Sequence, residues 1–157
     1  MKVRCVKNRG IDLRPYEYEL ITNKEFFGRF GVSEIAEYEI EVNKEYFVMG
    51  IIIFKTYQAY LIDDGGFIAT YPCQLFDIID SKINSNWHYR LVEKEESVYP
   101  FIQAIFGYYE LCYDKEAYVK LIIEKNENDE RMYFARKNEL ETENKPSYAK
   151  SHDFEQQ

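Results

Sequence analysis

Met1 to Val6 alternates Val3 and Cys5 with Lys2 and Arg4, the period-2 pattern of a strand with one face buried. Asn8-Arg9-Gly10 breaks it, and residues 11–37 read as an excursion holding a short helix over about 23–30. Thr22 and Glu25 have capping-box spacing, Ile21 and Phe26 sit at staple positions, and Gly31 supplies a left-handed stop. Phe26, Phe27 and Phe30 give that helix one apolar face, which needs cover. Strand patterns follow at Tyr38–Val42, at Tyr46–Phe54 with Gly50 as a bulge or bend, and at Tyr57–Ile62. Asp63-Asp64-Gly65-Gly66 is a hairpin signal, because glycine supplies the positive φ of a type I′ turn. Phe67–Tyr71 returns from it, Leu75 to Ile79 reads as a turn that drops Leu75 and Phe76 into the core, and Trp87–Val92 is another strand.

Residues 99–111 suit either a strand or a buried helical turn. Asp114 then caps a helix to about Lys125, with Ala117, Tyr118, Leu121 and Ile122 on one stripe. Asn128 caps a second over about 129–140, with acids in its first turn and Arg136-Lys137 late, matching the helix dipole. Residues 142–157 are polar and aperiodic, as expected of a tail. Short strands with tight hairpins followed by helices predict an α+β fold. Residues 1–92 form a small bent barrel with a helical insertion at about 11–37, and residues 93–141 form a helical extension packed on it.

Length and composition bound the rest. At 157 residues, 46% hydrophobic and 31% charged, the chain is long enough for one domain with a real core. No apolar run approaches the ~18 residues of a membrane span. The opening Met-Lys-Val-Arg-Cys-Val carries no apolar leader stretch, so a cytoplasmic location is expected. The net charge of −8 is uneven. Residues 1–31 hold seven basic and four acidic side chains, 32–92 four and nine, and 93–157 nine and fifteen. Such an acidic body repels phosphate backbones and suits a basic protein partner, so no nucleic acid is expected. Lys24, Phe26, Phe27, Arg29 and Phe30 do interleave cations with rings, but burying the helix is the better use of three phenylalanines.

The sequence holds little chemistry. Cys5, Cys73 and Cys112 are odd in number, widely spaced and outside any CxxC, and His88 and His152 are the only histidines. A disulfide framework, a metal cluster and a cofactor are therefore not expected. No phosphate-binding glycine loop, GxSxG or HExxH occurs. The stretch from Glu124 fails as a calcium loop, since Asp129 and Ala135 stand where glycine and glutamate are required. An enzyme would have to use Cys73 with His88 and Asp63 or Asp64, or the acids alone. Tyrosine, at 15 residues, either finishes the core or marks a contact surface.

Val42-Asn43-Lys44-Glu45-Tyr46, Tyr60-Leu61-Ile62-Asp63-Asp64-Gly65, Tyr71-Pro72, Leu75-Phe76 and Trp87 together form a pattern over about residues 38–90. In it the sequence resembles small bacterial proteins with an SH3-like barrel, and Gly107 to Leu111 with the helices after Asp114 is similar to their tail. Asn43 stands where glycine is commoner in that group. The resemblance implies an SH3-like fold and, in some members, an interaction or immunity context. It implies no catalytic activity. Three functions follow in order: a protein-interaction module, in its narrower form an immunity protein covering a basic toxin; a small enzyme using Cys73 or the acids; and a nucleic-acid binder through the basic N-terminal region. The surface expected to carry function lies between barrel and C-terminal helices, at Tyr57, Tyr60, Tyr71 and Trp87, with Asp63 and Asp64 as rim acceptors for a basic partner.

Overall fold

Val3 and Cys5 are fully buried while Lys2 and Arg4 are exposed, so the first alternation becomes β1, Lys2–Cys5. The computed structural model describes residues 1–19 and 28–145. Within them β2 (Glu45–Phe47) and β6 (Phe76–Asp80) flank β1 in a three-stranded antiparallel sheet. A second antiparallel sheet takes β3 (Gly50–Phe54), β4 (Gln58–Asp64), β5 (Phe67–Pro72), β7 (His88–Leu91) and β8 (Ile102–Gly107) in the order β5-β4-β3-β8-β7. Helix α1 covers Tyr109–Tyr113, a π-helical turn Val119–Ile123, and α2 Glu127–Glu143. The α+β class is as expected. The eight strands form two separate sheets, however, and no barrel closes among the described residues.

The two sheets and the helices make three layers, and the pleat decides which residue meets which layer. In β4, Ala59, Leu61 and Asp63 point to the helices, where Asp63 meets Tyr133 and Lys137 of α2. Tyr60, Ile62 and Asp64 point to the small sheet, where Tyr60 meets Phe76 and Asp64 meets Lys44 and Tyr46. Ala59 through Ile62 are all buried. A strand covered on both faces reads as a continuous apolar run, as this one does.

Several expectations are corrected by long-range pairing. Tyr38–Val42 is not a strand; Glu37 makes one isolated bridge to Arg9, and Ile40 alone is buried there. Residues 45–54 are two strands in different sheets. Gly50 begins β3 opposite Gly107 instead of bulging, and the register shift lies at Ile53/Phe54. A Cβ at Gly50 would stand 2.8 Å from Leu111 Cδ2, so this glycine lets α1 settle directly on the sheet. Of the turn expected at Leu75 to Ile79, Leu75 closes a 3-10 turn and Leu75 and Phe76 are buried as expected, but the rest is β6, which pairs with β1. The open stretch 99–111 is both things: β8, then α1. Because β8 pairs with β3 and β7, the expected boundary at residue 92 falls between two paired strands.

Gly65 and Gly66, at φ 56° and 89°, make the hairpin turn, and Asp64 pairs with Phe67. Asp114 ends α1 and, as expected, caps the next helical segment: its carboxylate accepts from the Glu116 N–H at 3.0 Å, and helical turns run over 117–123, the last of them the π-helical Val119–Ile123. The expected stripe still forms, with Ala117 and Leu121 buried on the turn that follows. Helix α2 is capped by Asn126 in place of Asn128. The helix expected over 23–30 and its Phe26 and Phe27 fall largely outside the described residues. Gly28–Phe30 is a 3-10 turn with Phe30 buried.

Candidate functional site

Cross-strand pairing places Tyr71, Tyr60, Ile51, Phe106 and Tyr89 in one row across the five strands of the large sheet. At the β5–β4 end the row is roofed. Tyr71 lies edge-on to Tyr38 with centroids 5.8 Å apart, and Tyr60 edge-on to Phe76 at 5.6 Å. At the β7 end it is open: Tyr89 is 53% and Leu91 66% exposed. Trp87, on the same face, is buried at 8% and stands edge-on to Phe106 at 5.2 Å, with Tyr89 on Phe106 at 6.0 Å. The result is an aromatic strip that starts in the core and runs out into solvent along an edge strand.

The expected residues are therefore divided. The two-residue turn does set Tyr60 opposite Tyr71. Neither they nor Trp87 line the seam with the helices, because alternation turns residues 60, 71 and 87 to the other face. The helix face of β7 instead carries His88, whose ring is edge-on to Tyr109 and Tyr113 of α1, and Arg90, which donates to the Cys112 carbonyl. Tyr57 lies apart from all three, stacked on Phe54 at 4.9 Å and tilted on Phe30 at 5.4 Å.

Asp63 and Asp64 are not free rim acceptors. The Asp63 carboxylate accepts from Lys137 Nζ at 2.7 Å and from the Tyr133 hydroxyl at 3.0 Å. Asp64 accepts from Lys44 Nζ and from the Tyr46 hydroxyl at 2.6 Å. Burial pushes the Asp64 carboxyl up, but these two donors outweigh it and hold it below its ordinary value. The Tyr133 hydroxyl is driven well above its ordinary value by burial first and by the Asp63 charge second. Each acid thus holds one lysine and one tyrosine from a neighbouring layer.

The parts of a thiol enzyme are not assembled. Burial pushes the Cys73 and Cys5 thiols up and the Cys112 thiol to about 11, so none is a thiolate at neutral pH. Cys73 follows β5 and His88 begins β7, the two opposite edges of the large sheet. That is four inter-strand steps, about 19 Å. Among the described residues no group of three or more His, Cys, Asp or Glu is placed to hold a metal ion. No helix there is long and apolar enough to cross a bilayer.

Ile51, Phe106, Tyr89 and Leu91 are the site residues that sequence reasoning missed. The alternation of Trp87, Tyr89 and Leu91 with His88 and Arg90 was a usable signal, since both faces of that strand carry large side chains. What sequence did not supply was β8, the strand that seats Phe106 between them. Compared with known proteins, the chain matches no family model, and no curated protein or solved structure gives a significant match.

Proposed function

We propose that the protein is a non-enzymatic protein-interaction module that binds its partner through the uncovered β7 end of the large sheet. The observation that carries this reading is the exposure of Tyr89 and Leu91 beside the Trp87–Phe106 pair. Exposed aromatic and aliphatic side chains joined to a rigid base are the composition of binding hot spots. Strand β7 is also a sheet edge, which can accept a partner strand. The partner is basic, because net −8 favours encounter with positive charge. An immunity-type protein that covers a basic toxin is the narrower form of this reading and rests on that charge. An SH3-like core belongs to the same reading, supported by β2 and β3 being only two residues apart, so that one stretch of backbone serves both sheets.

The test uses the intact chain as bait in extract of its native cells. Wild type retains a stoichiometric basic protein, and the double variant Tyr89→Lys, Leu91→Lys loses it while keeping its melting temperature. Recovery of no stoichiometric partner, or equal recovery by the variant, refutes the assignment.

A further inference from the structure

Between β3 and β4, the turn Lys55-Thr56-Tyr57 divides two clefts of about 420 and 370 Å³. Both are lined by Arg29, Phe54, Lys55, Thr56 and Tyr57. Phe30 and Phe101 add rings to the larger, and Tyr18 adds one to the smaller. These volumes lie in the usual range for small-molecule sites, roughly 300–1,000 Å³. Phe101 is 73% exposed, yet its backbone is fixed to the turn, its carbonyl accepting the Lys55 N–H at 2.8 Å.

The charge of this region opposes that of the whole. In a chain of net −8, the charged residues lining the two clefts are Arg29 and Lys55, and no acid lines either. The Arg29 guanidinium is held in place: Nε donates to the Thr56 carbonyl at 2.9 Å and Nη1 to the Tyr16 carbonyl at 3.0 Å, over the rings of Tyr18 and Phe30. Those partners are neutral. Among the described residues neither Arg29 nor Lys55 forms an ion pair with a carboxylate. The Glu17 carboxylate accepts the Arg29 backbone N–H at 2.9 Å and not the guanidinium. Two cations without an ion pair among the described residues, beside the stacked Phe54–Tyr57 pair and an exposed phenylalanine, attract one kind of ligand.

We infer that the larger cleft is a binding site for a small planar aromatic anion, an aryl carboxylate, sulfonate or phosphate. Its ring packs among Phe54, Tyr57 and Phe101, and its anionic group lies between Lys55 and Arg29. This site is separate from the proposed partner surface, and neither depends on the other.

The test is saturation-transfer NMR and calorimetry on the full chain with 2-naphthoate as probe. Neutral 2-naphthalenemethanol and non-aromatic cyclohexanecarboxylate are its controls. The expected result is binding of 2-naphthoate, with each control weaker by roughly tenfold or more, since one lacks the charge-assisted contact and the other the ring contact. Lys55→Glu and Phe101→Ala, both at exposed positions, each weaken 2-naphthoate by a similar factor without lowering the melting temperature. The inference is overturned if 2-naphthoate gives no saturation at millimolar concentration. Equal binding of all three compounds, or unchanged binding by Lys55→Glu, overturns it as well.

Discussion

The Asp63 and Lys137 side chains are only 10% and 20% exposed, so water does little to neutralise either if the other is removed. Breaking such a pair from one side costs more than removing both partners, because a charge is left desolvated. Asp63→Asn should cost about 3 kcal/mol in denaturant unfolding, and adding Lys137→Met should recover part of it. Other carboxylates set the pH response. Burial pushes Glu96 up, but bonds from Arg90 and the Glu93 N–H outweigh it, while the Arg136 bonds lower Glu110 outright. With Asp64 these groups have folded values below their unfolded ones. Their stabilisation is then complete above the ordinary carboxylate range of about 4 and is lost as pH falls through the folded values. The urea midpoint should hold between about pH 5 and 7 and fall steeply below about pH 4. Trp87 makes a sharper residue-level case. Trp87→Ala should cost about 3–5 kcal/mol by emptying the space against Phe106. Trp87→Phe should cost much less, since the buried indole Nε1 has no hydrogen-bond partner among the described residues to lose.

At the scale of elements, α2 begins where Asn126 Oδ1 accepts the N–H groups of Asn128 at 3.0 Å and Asp129 at 3.4 Å. Asn126→Ala should therefore destabilise the protein by about 1 kcal/mol, and Asn128→Ala should not, as read by thermal melting. Sequence alone did not separate them: both are good capping residues two positions apart, and in the fold the Asn126 N–H is tied to the Lys120 carbonyl at 2.8 Å while its side chain caps α2. The same division runs through the fold. The β4–β5 hairpin was legible, because two glycines and the flanking alternation fix turn and register within a few residues. The apolar stripe at Ala117, Leu121 and Ile122 was legible for the same reason. Strands β6 and β8 were not. Phe76-Asp77-Ile78-Ile79-Asp80 exposes all but its first residue, so no buried face repeats, and its pairing partner lies more than 70 residues away. Ile102–Gly107 is apolar on both faces, which is compatible with strand or helix until its neighbours are known. Of the candidate site, sequence showed Trp87 but not the face it belongs to, because that face is assembled from strands far apart in the chain.

At the scale of the whole molecule, the large sheet is the middle layer, and its hairpin tip is fastened to both outer ones. Loss of either fastening should be felt by one layer first. In hydrogen exchange, Asp63→Asn should speed the amides of α2 and Asp64→Asn those of residues 44–47, each leaving the other segment closer to wild type. The adjacency of the two acids has a further consequence. A strand that slips by one residue exchanges its faces, so a slipped β4 would aim each carboxylate at the wrong layer. One aspartate would take the other's place, and the vacated place would fall to Ile62 or Gly65, so one of the two lysines would lose its aspartate. A purely apolar strand such as Ala59-Tyr60-Leu61-Ile62 tolerates that error, since either face can be buried. The Asp63-Asp64 doublet acts as a parity bit on the strand: the message reads in full only when odd and even positions are in their proper places, and any single-step error leaves one lysine without its aspartate.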